Sequence, residues 1–172
     1  MYSKTSYRLV VTLVLLLVTT VGLPAMAVQG EGEVEVRARV GGQIQLIIES
    51  GEVITFDVDP VINPEDTAET ELLVMTNAPE YTIIANFSRF LIEDWDYDLI
   101  ANEKFFVRSQ APGSGQALED WVVPEKKVVI LSYEDGFTPG ESTLVEYLLQ
   151  VDFTVPPGEG ALSIVFTAMA SF

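Results

Sequence analysis

Asp94-Trp95-Asp96-Tyr97-Asp98 sets three carboxylates at i, i+2 and i+4, with an aromatic ring between each pair. Hard divalent cations prefer carboxylate oxygens, so Asp94, Asp96 and Asp98 in a loop are candidate calcium ligands. An EF-hand loop needs glycine at its sixth position and glutamate at its twelfth. Counted from Asp94, those positions hold Leu99 and Phe105, so that motif is absent. In an extended strand, the same acids share one solvated face while Trp95 and Tyr97 pack inward. Asp57, Asp59, Glu65 and Asp66 add to a cation site only where the two loops meet in space.

The rings offer a second chemistry. Trp95, Tyr97 and Trp121 suit a platform for sugar rings, with neighbouring acids accepting hydroxyl hydrogen bonds. Aromatic side chains of a small domain also serve as core. A glycosidase needs two carboxylates at a set separation across a cleft. No spacing here singles out a pair, and no catalytic residue is assigned. Asn86-Phe87-Ser88 fits the N-glycosylation sequon, although its Asn falls inside an alternating run.

Absent residues close off other chemistry. The 172-residue chain holds no Cys and no His. A disulfide framework, a thiolate zinc site and a thiol nucleophile are excluded, as are an imidazole base and a Ser-His-Asp triad. The start reads as an export signal: Lys4 and Arg8, then an apolar run over residues 9–21, then Pro24 and the small-x-small site Ala25-Met26-Ala27. The rival reading is an uncleaved anchor, but the run is shorter than the roughly 20 residues a spanning helix needs. Cleavage after Ala27 leaves residues 28–172, enough for one domain with its own core and no stable membrane insertion. That mature chain carries 7 basic against 26 acidic side chains, a formal charge of −19. Such a chain lacks a phosphate-neutralising patch and is not expected to bind nucleic acid. The acidity reads as solubility or as cation capture.

The elements that position these residues follow period two, the mark of β-strands. Residues 52–58 (EVITFDV) alternate and stop at Asp59-Pro60, and residues 61–68 read as a polar loop. Residues 71–76 are a short apolar run, and residues 81–87 alternate again. Residues 105–107, 121–123 and 128–131 suit short strands, residues 109–115 a flexible loop, and Asp135-Gly136 and Pro139-Gly140 turns. Residues 145–155 and 162–172 alternate strongly and read as a hairpin joined by residues 156–160. No helical apolar stripe persists in the mature chain. The expected fold is therefore all-β: one antiparallel β-sandwich after a cleaved signal helix.

Residues 32–49 (GEVEVRARVGGQIQLIIE) keep one parity across a glycine pair. One reading is a single long strand that bends at the glycines and crosses between sheets. The other takes residues 28–40 as an arm that adds to the open sheet edge of a neighbouring copy. Val34, Val36, Ala38 and Val40 then fill pockets, and Gly41 and Gly42 form the hinge. Head-to-tail addition does not close, so it makes a filament.

The pattern Tyr147-x-Leu149-x-Val151-x-Phe153, then Pro156-Pro157-Gly158, then Ile164-x-Phe166-Thr167, resembles the closing hairpin of small exported bacterial β-sandwich modules. These are the spore-coat-U and pilin-like group and the WxL-type surface proteins. Ile54-Thr55-Phe56 before Val58-Asp59-Pro60, and Asn77 before Tyr81, are similar too. The chain lacks a Trp-x-Leu signature and the cysteines common in pilins. The resemblance implies an immunoglobulin- or pilin-like sandwich with a structural or adhesive role at the cell surface. The expected function is thus a secreted, non-enzymatic subunit that self-assembles into a filament or coat. The alternative is an extracellular module for a surface polysaccharide or calcium, with no other cofactor.

Overall fold

The alternating segments become β-strands, and no α-helix occurs among the described residues. The computed structural model describes residue 38 and residues 40–134 and 138–171. The chain divides into two units, Met1–Arg39 and Val40–Phe172. The expected signal at residues 1–27, the arm positions Val34 and Val36, and the Asp135-Gly136 turn lie outside the described residues.

The second unit is all-β and antiparallel. Its strands are β1 (Ile44–Ser50), β2 (Glu65–Thr76), β3 (Glu80–Phe87), β4 (Leu91–Ile92), β5 (Tyr97–Asp98), β6 (Phe105–Gln110), β7 (Gln116–Ala117), β8 (Lys127–Tyr133), β9 (Thr138–Gln150), β10 (Gly160–Ala161) and β11 (Ile164–Ser171). One four-stranded sheet has the order β1-β2-β9-β6, another β11-β3-β8-β7, and a small third sheet β10-β4-β5. Side chains of both large sheets enter one core: Leu72 and Val74 on β2, Val145, Tyr147 and Leu149 on β9, Ile83 and Ala85 on β3, and the consecutive Ile130 and Leu131 on β8, where the pairing with β3 shifts register. Phe105 lies fully buried at its centre. Its ring meets those of Phe90 at 5.3 Å, Tyr147 at 6.0 Å, Phe56 at 6.1 Å and Phe87 at 6.4 Å. These stacked and edge-on contacts add to simple burial.

Several expectations are corrected. Residues 145–155 and 162–172 do not form a hairpin: β9 pairs with β2 and β6, whereas β11 pairs with β3 in the other sheet. Alternation fixes which face is buried, not which strand lies alongside. β9 also ends at Gln150, and Phe153, expected on the inner face, is 83% exposed. There Asp152 builds a tight turn, its carboxylate accepting from the Thr154 N–H and its carbonyl from the Val155 N–H.

Residues 52–58 form no strand, although Ile54, Phe56 and Val58 do pack against the core as the alternation predicts. The chain leaves the sheet at Gly51, which sits at φ +73° and lies so close to the Glu69 carbonyl that a side chain would collide with it. Part of the loop expected at residues 61–68 is strand, since β2 begins at Glu65. Its buried side includes Thr70, whose hydroxyl donates to the Gly51 carbonyl and accepts from Tyr147. Pro139-Gly140 is no turn but the opening of β9.

Candidate assembly edges and ligand clusters

A strand at the border of a sheet leaves every second N–H and C=O unpaired. The border strands of the two large sheets are β1, β6, β7 and β11, and the two-residue β10 and β5 border the small sheet. The β6 border is covered, because Val107 exchanges backbone bonds with Val122 and the Ser109 N–H donates to the Leu118 carbonyl. β7 is two residues long. Among the described residues, β1 and β11 are the long borders with no further strand beside them. They approach within 8 Å between Cα atoms without pairing with each other.

The direction of the free groups follows from bonds that are made. The Gln43 carbonyl accepts from the Asn77 N–H and the Thr76 hydroxyl, so odd positions of β1 face β2. Ile44, Leu46 and Ile48 therefore turn their N–H and C=O groups to the open side. On β11, the Ser163 carbonyl accepts from the Ser88 N–H and the Val165 carbonyl from the Asn86 side chain. Ile164, Phe166, Ala168 and Ala170 thus face the open border. The side chains of Ile44, Leu46, Ile164, Phe166 and Ala170 are only half-buried against the core.

The chain leading into β1 is clamped by Asn77. The Asn77 side-chain amide donates to the Gly41 carbonyl at 2.9 Å and accepts from the Gln43 N–H at 2.8 Å. Upstream of the clamp, Ala38 and Val40 belong to no strand and are exposed, Val40 at 81%. At Gly41 an added Cβ meets nothing within 4 Å, so no close approach demands glycine there. In the sequence, Asn77 stands out only through the resemblance, ahead of Tyr81.

The acidic segment does not converge. Asp94 lies in a 3-10 turn over Glu93–Trp95 and is exposed. Asp96 takes the left-handed conformation after that turn. The Arg89 guanidinium reaches both Asp96, at 3.6 Å, and Asp98, at 3.0 Å. The Asp98 side chain is only 11% exposed and also accepts from the Ile100 and Ala101 N–H groups. Burial pushes its carboxyl up, but the Arg89 bond and the backbone donors outweigh burial and hold the pKa below the usual carboxylate range. Asp57 and Asp66 do meet, the Asp57 N–H donating to the Asp66 carboxylate, and Asp59 caps its own turn by accepting from Val61 and Ile62. Among the described residues, no three acidic side chains gather around one point as cation ligands.

The three rings of the sugar platform are likewise separate in their contacts. Trp95 is 60% exposed, with its indole N–H donating to the Pro157 carbonyl. Tyr97 is half-buried against the core. Trp121 carries the Arg108 guanidinium 4.5 Å above its ring, and Arg108 is held there by a two-pronged bond to Glu146. That cation covers one face of Trp121.

The chain matches no protein family and no curated protein. No helix among the described residues is long and apolar enough to cross a membrane.

Proposed function

We propose that this chain is an exported, non-enzymatic β-sandwich subunit that assembles at the cell surface by lending its N-terminal arm to an open sheet border of a neighbouring copy. The observation that carries the reading is the exposed stretch, outside any strand, that leads into β1. Ala38 and Val40 are exposed and belong to no strand, and Asn77 clamps the chain that follows. The long borders of β1 and β11, with half-buried apolar side chains behind them, supply what such an arm needs: unpaired backbone groups and sockets for alternate residues. The arm also carries Arg37 and Arg39, whereas the chain from Val40 onward holds 5 basic against 23 acidic residues. That contrast favours attraction between an arm and a neighbouring body.

The sandwich reading rests on side chains of both large sheets sharing one core, with the Phe87 ring of one sheet against the Phe105 ring of the other. The strand order differs from that of an immunoglobulin constant domain, in which the second strand neighbours the fifth. Here β2 neighbours β9, the seventh of the eight strands in the two large sheets. The ligand-binding alternative has less support, since Arg89 engages two of the three candidate calcium acids and Arg108 covers Trp121.

The test is electron microscopy and sedimentation of the processed protein beside a variant lacking residues 28–40. The expected outcome is filaments or large assemblies that disappear with the arm. A processed protein that grows no larger than a dimer at high concentration overturns the proposal.

A further inference from the structure

We infer that β11 pairs antiparallel with β11 of a second copy about a two-fold axis at Thr167, joining two four-stranded sheets into one continuous sheet. This contact does not involve the arm; it takes up one of the two borders offered to the arm and leaves β1 as its acceptor.

Three observations carry it. The first is that β11 is unguarded. Natural border strands are blunted by charges, proline, bulges or short length. β11 runs eight residues (IVFTAMAS) with no charge and no proline, and its pairing with β3 is regular throughout. β1, by contrast, carries Glu49 and a register shift between Ile48 and Ser50. A long, regular, uncharged border is a pairing surface unless something covers it; among the described residues β1 comes within 8 Å of it between Cα atoms but does not pair with it.

The second is the exposed apolar pair on its outer face. Val165 is 57% exposed and Met169 49% exposed, with Thr167 between them. Within the single chain they flank Ile84, which sits opposite Thr167 on β3 and is 5% exposed, yet each still keeps about half of its own surface in solvent. In a two-fold pairing centred on Thr167, Val165 of each copy lies opposite Met169 of the other. Each exposed side chain then gains an apolar neighbour across the seam, and the pair occurs twice per dimer.

The third is that this register satisfies backbone and side chains together. Ile164, Phe166, Ala168 and Ala170 are the residues whose N–H and C=O groups face the open border. Centring on Thr167 sets Ile164 opposite Ala170 and Phe166 opposite Ala168, so every hydrogen-bonded pair joins two residues that face outward. On the core side each large residue meets a small one, and Thr167 meets its own copy in a non-bonded pair. Shifting the centre by one residue either sets Phe166 against Phe166 or loses the Ile164–Ala170 pair. The surface is self-complementary, as a two-fold interface requires, so the occupant is a second copy of this chain.

The bodies oppose this contact at long range, because each carries 23 acidic against 5 basic residues. Screening at higher ionic strength weakens that repulsion, so the dimer tightens as salt rises.

Because the chain contains no cysteine, a single introduced thiol reports on one position. Opposed residues of a non-bonded antiparallel pair have Cα atoms about 4.5 Å apart, within disulfide reach. Full-chain Thr167→Cys is expected to oxidise to a covalent dimer, with Ser142→Cys, an exposed position on β9, as the control that stays monomeric on a denaturing gel. By sedimentation, Val165→Glu weakens dimerisation at least about tenfold, since two cross-strand pairs are lost per dimer. Adding Met169→Lys sets opposite charges across each pair and restores it. The variant lacking residues 28–40 still cross-links through Thr167→Cys, which separates this contact from arm-driven assembly. Thr167→Cys that cross-links no faster than Ser142→Cys, in a protein whose thermal transition matches the parent, overturns the inference.

Discussion

Asp98→Asn removes one charge from the turn that follows β5 and leaves its shape almost unchanged. In the parent the carboxylate accepts from Arg89 at 3.0 Å, from the Ile100 N–H at 3.0 Å and from the Ala101 N–H at 3.4 Å. A hydrogen bond to a charged group contributes about 1.5–3 kcal/mol, and the amide keeps one accepting oxygen for the backbone while turning a donor towards Arg89. The net cost at pH 7 is therefore about 2–3 kcal/mol, which lowers the melting temperature by about 8 °C in a domain of this size. The pH dependence is the sharper signature. The folded-state pKa of Asp98 lies below its unfolded value. Its stabilisation is thus complete above the unfolded value of about 3.9 and disappears as the pH falls through the lower folded value. Urea titrations of both proteins from pH 7 to pH 2 should show two stabilities that differ at neutral pH and converge in acid. A gap that stays constant to pH 2, or no gap at pH 7, would refute the claim that an ionised Asp98 holds this turn.

Two further outcomes follow from the core and the backbone. Phe105→Ala leaves a void among four rings and should cost about 3–5 kcal/mol by urea denaturation, whereas Phe105→Leu should cost clearly less. Gly51→Ala forces a left-handed residue to carry a side chain against the Glu69 carbonyl. It should cost more than the ~1–2 kcal/mol of the backbone conformation alone, seen as an early thermal transition with the strand signature of the circular dichroism spectrum unchanged at low temperature.

Strand character was written plainly in the chain, because a half-buried strand must alternate. Residues 81–87 and 164–171 show it, and both are strands. What alternation does not encode is the partner. The run through Val151, Phe153 and Val155 kept its parity past the end of β9, where the Asp152 turn takes over. The opening half of β2 escaped notice because its inner face includes Asp66 and Thr70, polar residues whose bonds become visible only in three dimensions. The acidic triplet raised an expectation of a cation, but the partner of Asp96 and Asp98 is Arg89, which the pentapeptide does not contain. Of the proposed assembly features, the arm rests on the alternation from Val34 to Val40 and on the glycine pair. The border of β11 was readable only in hindsight, as eight residues without a charge or a proline.

The two large sheets are interleaved along the chain, and the loop at residues 111–115 marks the divide. Before it lie β1, β2, β3 and β6; beyond it lie β7, β8, β9 and β11. Each sheet draws on both sides, since β9 sits between β2 and β6 while β3 sits between β11 and β8. A protease that nicks this loop therefore cuts one covalent bond without releasing a piece. The two fragments remain clasped like folded hands, and neither has a core to call its own.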